Sequence, residues 1–407
     1  MRANSLGVYI SVPFCRSKCT YCNFASGVYP GSEHGRYVDR LIEDMTGTKG
    51  WAPQMGVDLP GAVDTVYLGG GTPSLLAPDL IGRLFGTLRT EFGVERDAEI
   101  TVECAPGQIA DATLEALVNA GVNRVSLGVQ SFIDREARET GRLHDRATVM
   151  EDLARLRAAG IVNLNVDLIA GLPGQTFASW DESLATLIDC GVPHASVYML
   201  EVDEDSRLGR EMLNGGARYH AGLVPTDDAI ARMYETAIER LGEAGLEQYE
   251  ISNFGRAGFR SRHNLRYWER RPYLGLGLDA SSMVFDGVDS RRRFVLRSKT
   301  TDDLKAYVDG SEMAETAWLS PERQLEEAWF LGLRLNAGVE IAALEREFGQ
   351  EGVRPALDVV ARLAADGLLS SDGERVRLTA LGRLLSNDVF QEFLGLAAED
   401  GRVEQAG

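Results

Sequence analysis

Three cysteines, Cys15, Cys19 and Cys22, lie within one eight-residue stretch near the start of the chain. Three thiolates can ligate three irons of a cubane 4Fe-4S cluster, which leaves the fourth iron without a protein ligand. An open iron can bind a substrate or cofactor, much as a catalytic zinc keeps one position free. The alternatives are a zinc site or three unrelated thiols. Structural zinc normally takes four protein ligands, and no His or Cys pair with suitable spacing completes such a site here.

The overall composition limits the classes of function. The chain has 407 residues, a net charge of −19 and five cysteines, an odd number that does not suggest a disulfide framework. A surface with this charge repels phosphate backbones, so nucleic acid is not an expected partner. No apolar run approaches the ~18 residues that a membrane span needs. The apolar stretch at the N-terminus is too short for a signal peptide. We therefore expect a cytoplasmic protein with no transmembrane span.

Short β-branched runs alternate with amphipathic stretches such as 111–120 and 150–159. This alternation predicts an α/β fold with a parallel sheet covered by helices. The polar residues and glycines cluster just after strands, which favours an incomplete (β/α)6 barrel over a doubly wound sheet. The six predicted strands are 8–12, 65–69, 99–104, 124–128, 163–169 and 195–200.

A second unit is predicted near the C-terminus, so that the chain divides into residues 1–290 and 303–395. Helical patterns at 323–335 and 354–365 and a strand at 375–379 outline a winged-helix-like domain. Such domains often bind DNA, but acidic residues outnumber basic ones here. Packing or partner docking is therefore the expected role.

The second predicted strand ends in the glycine-rich turn 69–73, whose backbone a ligand could approach closely. Alone, such a turn is a weak signal, and it lacks the lysine of a phosphate-binding loop. Glu103, Gln130 and Asp167 follow or interrupt other predicted strands. A buried carboxylate needs a partner, so these residues predict a polar site at the carboxyl ends of the strands.

The CxxxCxxC spacing after a first strand resembles the signature of radical-SAM proteins, and segments 121–132, 171–176 and 378–387 resemble its HemN/HemW group. The resemblance implies that the open iron chelates S-adenosylmethionine and that reductive cleavage yields a 5′-deoxyadenosyl radical. It implies an adenine contact for Tyr21, carboxylates that accept from ribose hydroxyls or the amino group, and pairing of Arg142 with the methionine carboxylate. The positions that match the group's cofactor site are Tyr9, Gly70, Gly71, Thr72, Glu103, Gln130, Arg142 and Asp167.

Two features separate the branches of this group. Coproporphyrinogen III dehydrogenases carry a fourth cysteine where this chain has Phe24. The segment 263–268 matches the HNxxYW motif of the haem-chaperone branch, which implies a haem site at His263, Asn264, Tyr267 and Trp268. The chain departs from the group's usual residues at Ser11, Ala105, Ala170 and Ser281.

The resemblance thus implies haem as cargo, handed to a haem-accepting apoprotein, with a separate electron donor and with enzymatic turnover left open. The alternative is an oxygen-independent coproporphyrinogen III dehydrogenase, which would decarboxylate porphyrin propionates. A radical-SAM methyltransferase or haem-opening relative is a third possibility. The alternative to haem binding is that His263 has a structural role, as a core histidine held by local hydrogen bonds.

Overall fold

The computed structural model describes residues 5–286, 294–311 and 315–396. The strands are β1 (Leu6–Val12), β2 (Ala62–Gly70), β3 (Gly93–Cys104), β4 (Arg124–Gln130), β5 (Asn163–Ala170), β6 (His194–Met199), β7 (Glu247–Gln248), β8 (Asn253–Gly255), β9 (Tyr273–Leu276), β10 (Ser281–Phe285), β11 (Val295–Lys299), β12 (Glu315–Leu319), β13 (Val339–Glu340), β14 (Leu369–Ser371) and β15 (Arg375–Leu378). The helices are α1 (Ser32–Gln54), α2 (Pro78–Glu91), α3 (Asp111–Asn119), α4 (Asp134–Glu139), α5 (Arg146–Ala158), α6 (Phe177–Asp189), α7 (Arg207–Leu213), α8 (Asp227–Glu243), α9 (Arg262–Trp268), α10 (Leu304–Asp309), α11 (Pro321–Leu333), α12 (Ile341–Phe348), α13 (Gln350–Ala365), α14 (Ala380–Leu384) and α15 (Ser386–Gln391).

Strands β1 to β6 lie side by side in chain order, and each pairs in parallel with the next. This order never reverses, which excludes the doubly wound alternative, because such a sheet changes direction at a switch point. Right-handed crossovers between consecutive parallel strands place the helices on one face. The other face becomes the inside of an open, incomplete barrel, as predicted.

The sheet continues beyond the six parallel strands at both edges. Strand β9 pairs in parallel with the free side of β1, and β10, β11 and β12 follow it as an antiparallel extension. At the other edge, β8 pairs antiparallel with β6. No described helix is long and apolar enough to cross a lipid bilayer.

The C-terminal domain has the element order α11-β13-α12-α13-β14-β15, which is the order of a winged helix. Its three strands form a separate sheet in the order β13-β15-β14. Trp329, Phe393 and the apolar face of α13 form its own hydrophobic core. The predicted winged-helix-like domain is therefore present, with α12, β13 and β14 in addition to the predicted elements. The division at residues 290 and 303 stays a prediction.

Capping residues fix where the helices behind the barrel begin. The Asp145 side chain accepts from the Thr148 N–H at 2.8 Å, where α5 begins. Thr176 and Ser179 form a reciprocal capping box at the start of α6. These side chains satisfy backbone N–H groups that would otherwise have no partner at the first turn of each helix.

Candidate functional site: a cysteine loop and a polar cradle at the barrel mouth

A cavity of about 880 Å³ occupies the inside of the barrel and its mouth. This volume lies in the usual range for small-molecule and cofactor sites. The cysteine loop, the carboxyl ends of the parallel strands and the C-terminal domain all contribute to its wall. Of the residues predicted for the site, Cys15, Cys19, Cys22, Tyr21, Gly70, Gly71, Thr72, Glu103, Gln130, Arg142, Asp167 and Asn264 line this cavity.

The cysteine loop follows β1 and is tied back on itself. The Cys15 N–H donates to the Gly27 carbonyl at 2.8 Å, and the Gly27 N–H donates to Pro13 at 2.9 Å. The Lys18 ammonium donates to the Phe24 carbonyl at 2.6 Å, so a charge-assisted bond closes the loop around its cysteines. These hydrogen bonds fix the backbone of the loop around its three cysteines.

Each cysteine of the loop has a polar neighbour. The Cys15 thiol lies 4.0 Å from the Thr72 hydroxyl, and the Cys19 thiol lies 3.6 Å from the Arg142 guanidinium. Burial raises the pKa of the Cys15 thiol. Since metal binding requires thiolates, we expect cluster assembly to release a proton at Cys15.

The described residues include no group of three His, Cys, Asp or Glu side chains arranged to hold a single metal ion. A cubane does not require that arrangement, because each cysteine ligates a different iron. The three cavity-facing thiols beside one open space therefore fit a cluster of this type.

The glycine turn is bonded directly to the cysteine loop. The Gly71 N–H donates to the Val12 carbonyl at 2.8 Å, and the Thr72 N–H donates to Phe14 at 2.7 Å. A Cβ at Gly71 would lie 2.7 Å from the Phe14 carbonyl oxygen, which no side chain tolerates without a shift. Gly70 has a φ of +98°, a conformation that favours glycine. The glycines therefore set the distance between the turn and the cluster loop.

The part of the cavity lined by the glycine turn, Glu103, Gln130, Arg142 and Asp167 is called the cradle here. Glu103 forms one of its walls. Its carboxylate accepts from the Tyr67 hydroxyl at 2.8 Å and from the Gly70 N–H at 3.2 Å. Burial raises the pKa of Glu103 to about 7. A buried carboxyl that lines the cavity is suited to accept from a cationic or hydroxyl group of a ligand.

Asp167 lies on the neighbouring wall, within a row of polar side chains. It accepts from the Ser126 hydroxyl at 3.0 Å and from the Asn165 amide at 2.7 Å. Burial raises the pKa of Asp167 as well. In register, Glu103 lies opposite Ser126, and Ser126 lies opposite Asn165. The row therefore spans three neighbouring strands inside the barrel.

Two further residues of the cradle, Gln130 and Arg142, have polar groups that a bound ligand could contact. Gln130 adopts a φ of +69°, unusual for a residue other than glycine, and its buried Oε1 has no hydrogen-bond partner among the described residues. The Arg142 guanidinium donates to the Gly128 carbonyl and faces the same cavity. An orphaned buried acceptor costs about 1–3 kcal/mol unless a ligand or water satisfies it. The donor set around it fits a ligand with amino, hydroxyl and carboxylate groups, as S-adenosylmethionine has.

His263 lies outside this cavity wall, fully buried on α9. Its Nδ1 is 2.9 Å from the Thr65 hydroxyl, and its Nε2 is 2.9 Å from the Tyr267 hydroxyl. Burial lowers the pKa of His263 to about 3, so the ring is neutral. Both ring nitrogens therefore have hydrogen-bond partners, and haem ligation by His263, which stays a prediction, would replace one of these two bonds.

Helix α9, which carries the motif, is anchored beneath the barrel by a residue between the motif positions. Arg266 is buried and forms an ion pair with Asp64 on β2. The His263 ring centroid lies 5.3 Å from that of Tyr67, the residue that donates to Glu103. Tyr9, a predicted cofactor residue, lies in this aromatic group and not on the cavity wall, 6.1 Å from Tyr67. Tyr9 and His263 thus pack next to Tyr67, behind the cavity wall.

The remaining polar residues of the barrel interior were not predicted from the sequence. Arg124, Ser126, Asn165 and Ser196 all line the cavity. On β4, residues 124, 126, 128 and 130 face the cavity, and 165 and 167 do so on β5. That period of two is visible in the sequence, since successive side chains of a strand point to opposite faces.

Comparison with known proteins gives two domain matches and several full-length relatives. Residues 9–187 match the radical SAM superfamily, and residues 319–385 match the HemN C-terminal domain. The curated "Heme chaperone HemW" of Lactococcus lactis is 32% identical over 95% of this chain and 96% of the relative. The protein of the same name from Bacillus subtilis is 33% identical over 95% of this chain and 98% of the relative.

Among solved structures, the coproporphyrinogen III oxidase HemN of Escherichia coli superposes with a TM-score of 0.80. The two chains share 24% identity over 96% of this chain and 90% of the other, so this likeness concerns the fold. The curated relatives are 32% and 33% identical to this chain over 95% of its length. Together with the two domain matches, this similarity assigns the chain to a family. This chain belongs to the HemW family of the radical SAM superfamily.

Proposed function

We propose that this protein is a haem chaperone, which binds a 4Fe-4S cluster, S-adenosylmethionine and haem and transfers the haem to an acceptor apoprotein. The observation that supports this most directly is the residue two positions after the third cysteine, Cys22. Phe24 stands there, with 63% of its surface exposed at the cavity mouth. The dehydrogenase branch is expected to carry a cysteine at this position. An apolar side chain at the mouth favours binding of a hydrophobic cargo over that chemistry.

Cys15, Cys19 and Cys22 would hold the cluster, and the cradle of Glu103, Gln130 and the glycine turn would hold S-adenosylmethionine. When bound, the two together supply reductively triggered radical chemistry, with electrons from a donor protein. The chain's own part is to position and desolvate them. The glycine turn fixes the cofactor beside the loop, and Arg142 places a positive charge next to a cluster ligand.

The cluster assignment is tested by replacing Cys15, Cys19 and Cys22 together with Ala. After anaerobic reconstitution, we expect the triple variant to lose the visible absorbance of a 4Fe-4S cluster. Cys190→Ala is the matched control, since Cys190 is a buried cysteine outside the cavity wall. A triple variant with a normal cluster spectrum would overturn the assignment.

The function is tested with reconstituted wild-type protein in two parallel assays. The first titrates haemin and then adds a haem-free acceptor protein. The second supplies coproporphyrinogen III, S-adenosylmethionine and a reductant. We expect stoichiometric haem binding and transfer, without formation of decarboxylated porphyrinogen. Decarboxylated product would instead establish the dehydrogenase function and show that Phe24 does not discriminate the branches.

A further inference from the structure

The cavity has a second wall, far along the chain from the cysteine loop, where the C-terminal domain closes it. Residues 384–388, from the end of α14 into α15, line this part. Arg334, the residue directly after α11, gives this wall a positive charge. Its guanidinium carbon lies 4.4 Å from the ring centroid of Trp268 and 5.7 Å from that of Phe390.

Arg334 has no ion pair within 4 Å among the described residues, and its buried Nε has no hydrogen-bond partner there. Arg207, Arg232 and Arg260 also lie over aromatic rings without an ion pair among the described residues, but none of them lines the cavity. Two further stacked arginines are paired with a carboxylate. Arg270, over Phe348, donates to Glu347 at 3.0 and 3.2 Å. Arg297, over Tyr273, donates to Glu327 at 2.6 Å. Arg334 is thus a stacked guanidinium with its donors available.

The carboxylates around Arg334 do not neutralise it at contact distance. Glu250 is buried and accepts from the Asn253 amide. Glu201 is exposed at the cavity wall. Burial lowers the pKa of Arg334, which reflects the cost of desolvating a cation without a contacting anion. A planar guanidinium held by ring stacking is the group that best recognises a carboxylate through two parallel hydrogen bonds.

Large apolar side chains surround the same opening. Phe24, Leu143, Tyr198 and Leu385 are all exposed and all line the cavity. Exposed apolar groups gathered at one opening mark a binding surface for an apolar partner. Together with Arg334, the opening offers an apolar surface next to a carboxylate-binding cation. That combination matches a flat hydrophobic molecule with acid side arms.

We propose that Arg334 binds a propionate carboxylate of the porphyrin cargo, whose macrocycle rests on Phe24, Leu143, Tyr198 and Leu385. This inference rests on the proposed function and adds to it the orientation of the cargo. The acid side faces the C-terminal domain, and the ring covers the barrel mouth.

The test compares haemin with haemin dimethyl ester, whose propionates carry no charge, in Soret titrations of reconstituted protein. We expect wild type to prefer the diacid, and Arg334→Met to weaken diacid binding by about 10- to 100-fold, the value of a charged hydrogen bond. Binding of the ester should change by less than about threefold. Methionine keeps an apolar stem over Trp268, and Arg270→Met is the control for losing a stacked arginine outside the cavity.

Three outcomes separate the possibilities. Equal weakening of diacid and ester by Arg334→Met, or no weakening, would overturn the propionate contact without contradicting the proposed function. Failure of wild type to bind either porphyrin would overturn the proposed function itself. If Arg334→Met does not fold, the wild-type preference for diacid over ester decides, since equal affinity contradicts the inference.

Discussion

The burial of Glu103 can be tested through the pH dependence of the free energy of unfolding. Its pKa rises from 4.5 to about 7 on folding, mainly because burial disfavours the charged form. An acid with a raised folded pKa binds more protons in the folded state, so its contribution to stability is present below pH 4.5 and is lost as the pH rises through 7. A shift of about 2.5 units corresponds to about 3 kcal/mol, an upper limit because the carboxyl lines a cavity.

The measurement is the free energy of unfolding by urea between pH 5 and 8, without S-adenosylmethionine, for wild type and Glu103→Gln. Glutamine has one acceptor oxygen for the two donors Tyr67 and Gly70, so its stability is offset from that of wild type and only the slope with pH is diagnostic. We expect the stability of wild type relative to Glu103→Gln to fall as the pH rises, by up to about 3 kcal/mol.

Glu115→Gln, at an exposed position on α3, is the control and should follow the wild-type slope. A protonated-carboxyl band in infrared difference spectra of wild type minus Glu103→Gln, titrating near pH 7, would confirm the assignment independently. Parallel stability curves for wild type and Glu103→Gln over the whole range would refute the argument that burial controls this carboxyl.

Two further substitutions test the support of the site. Gly71→Ala places a Cβ 2.7 Å from the Phe14 carbonyl oxygen, so we expect less iron and sulfide bound after reconstitution. Gly86→Ala, in open space on α2, should bind wild-type amounts, and equal loading of both variants contradicts the close approach. His263→Ala leaves two hydroxyls without their ring partner and should lower stability by about 2–5 kcal/mol, measured by thermal unfolding. A Soret band shifted in this variant would support His263 as a haem ligand, whereas unchanged stability would contradict the packing described here.

Local sequence was sufficient for the parts of the site that lie on one loop or one strand. The spacing of Cys15, Cys19 and Cys22 predicts a shared metal site, because a short loop keeps its own residues close together. The alternation of apolar runs with amphipathic stretches predicts the parallel strands, and hence that Glu103 and Asp167 meet at one edge. The winged-helix-like outline was also visible, although the two-residue strand β13 is too short to produce a pattern.

Only the tertiary structure decided which residues share the cavity and which support it. Arg334 lies more than 300 residues from the cysteine loop in sequence, yet it faces the same space. His263 carries a recognisable motif, but its burial and its bonds to Thr65 and Tyr267 place it beneath the cradle. The physical reason is that burial and hydrogen-bond partners depend on contacts between distant segments. Residue type and local spacing determine what a side chain can do, and the packing of the whole chain determines which partners remain available to it.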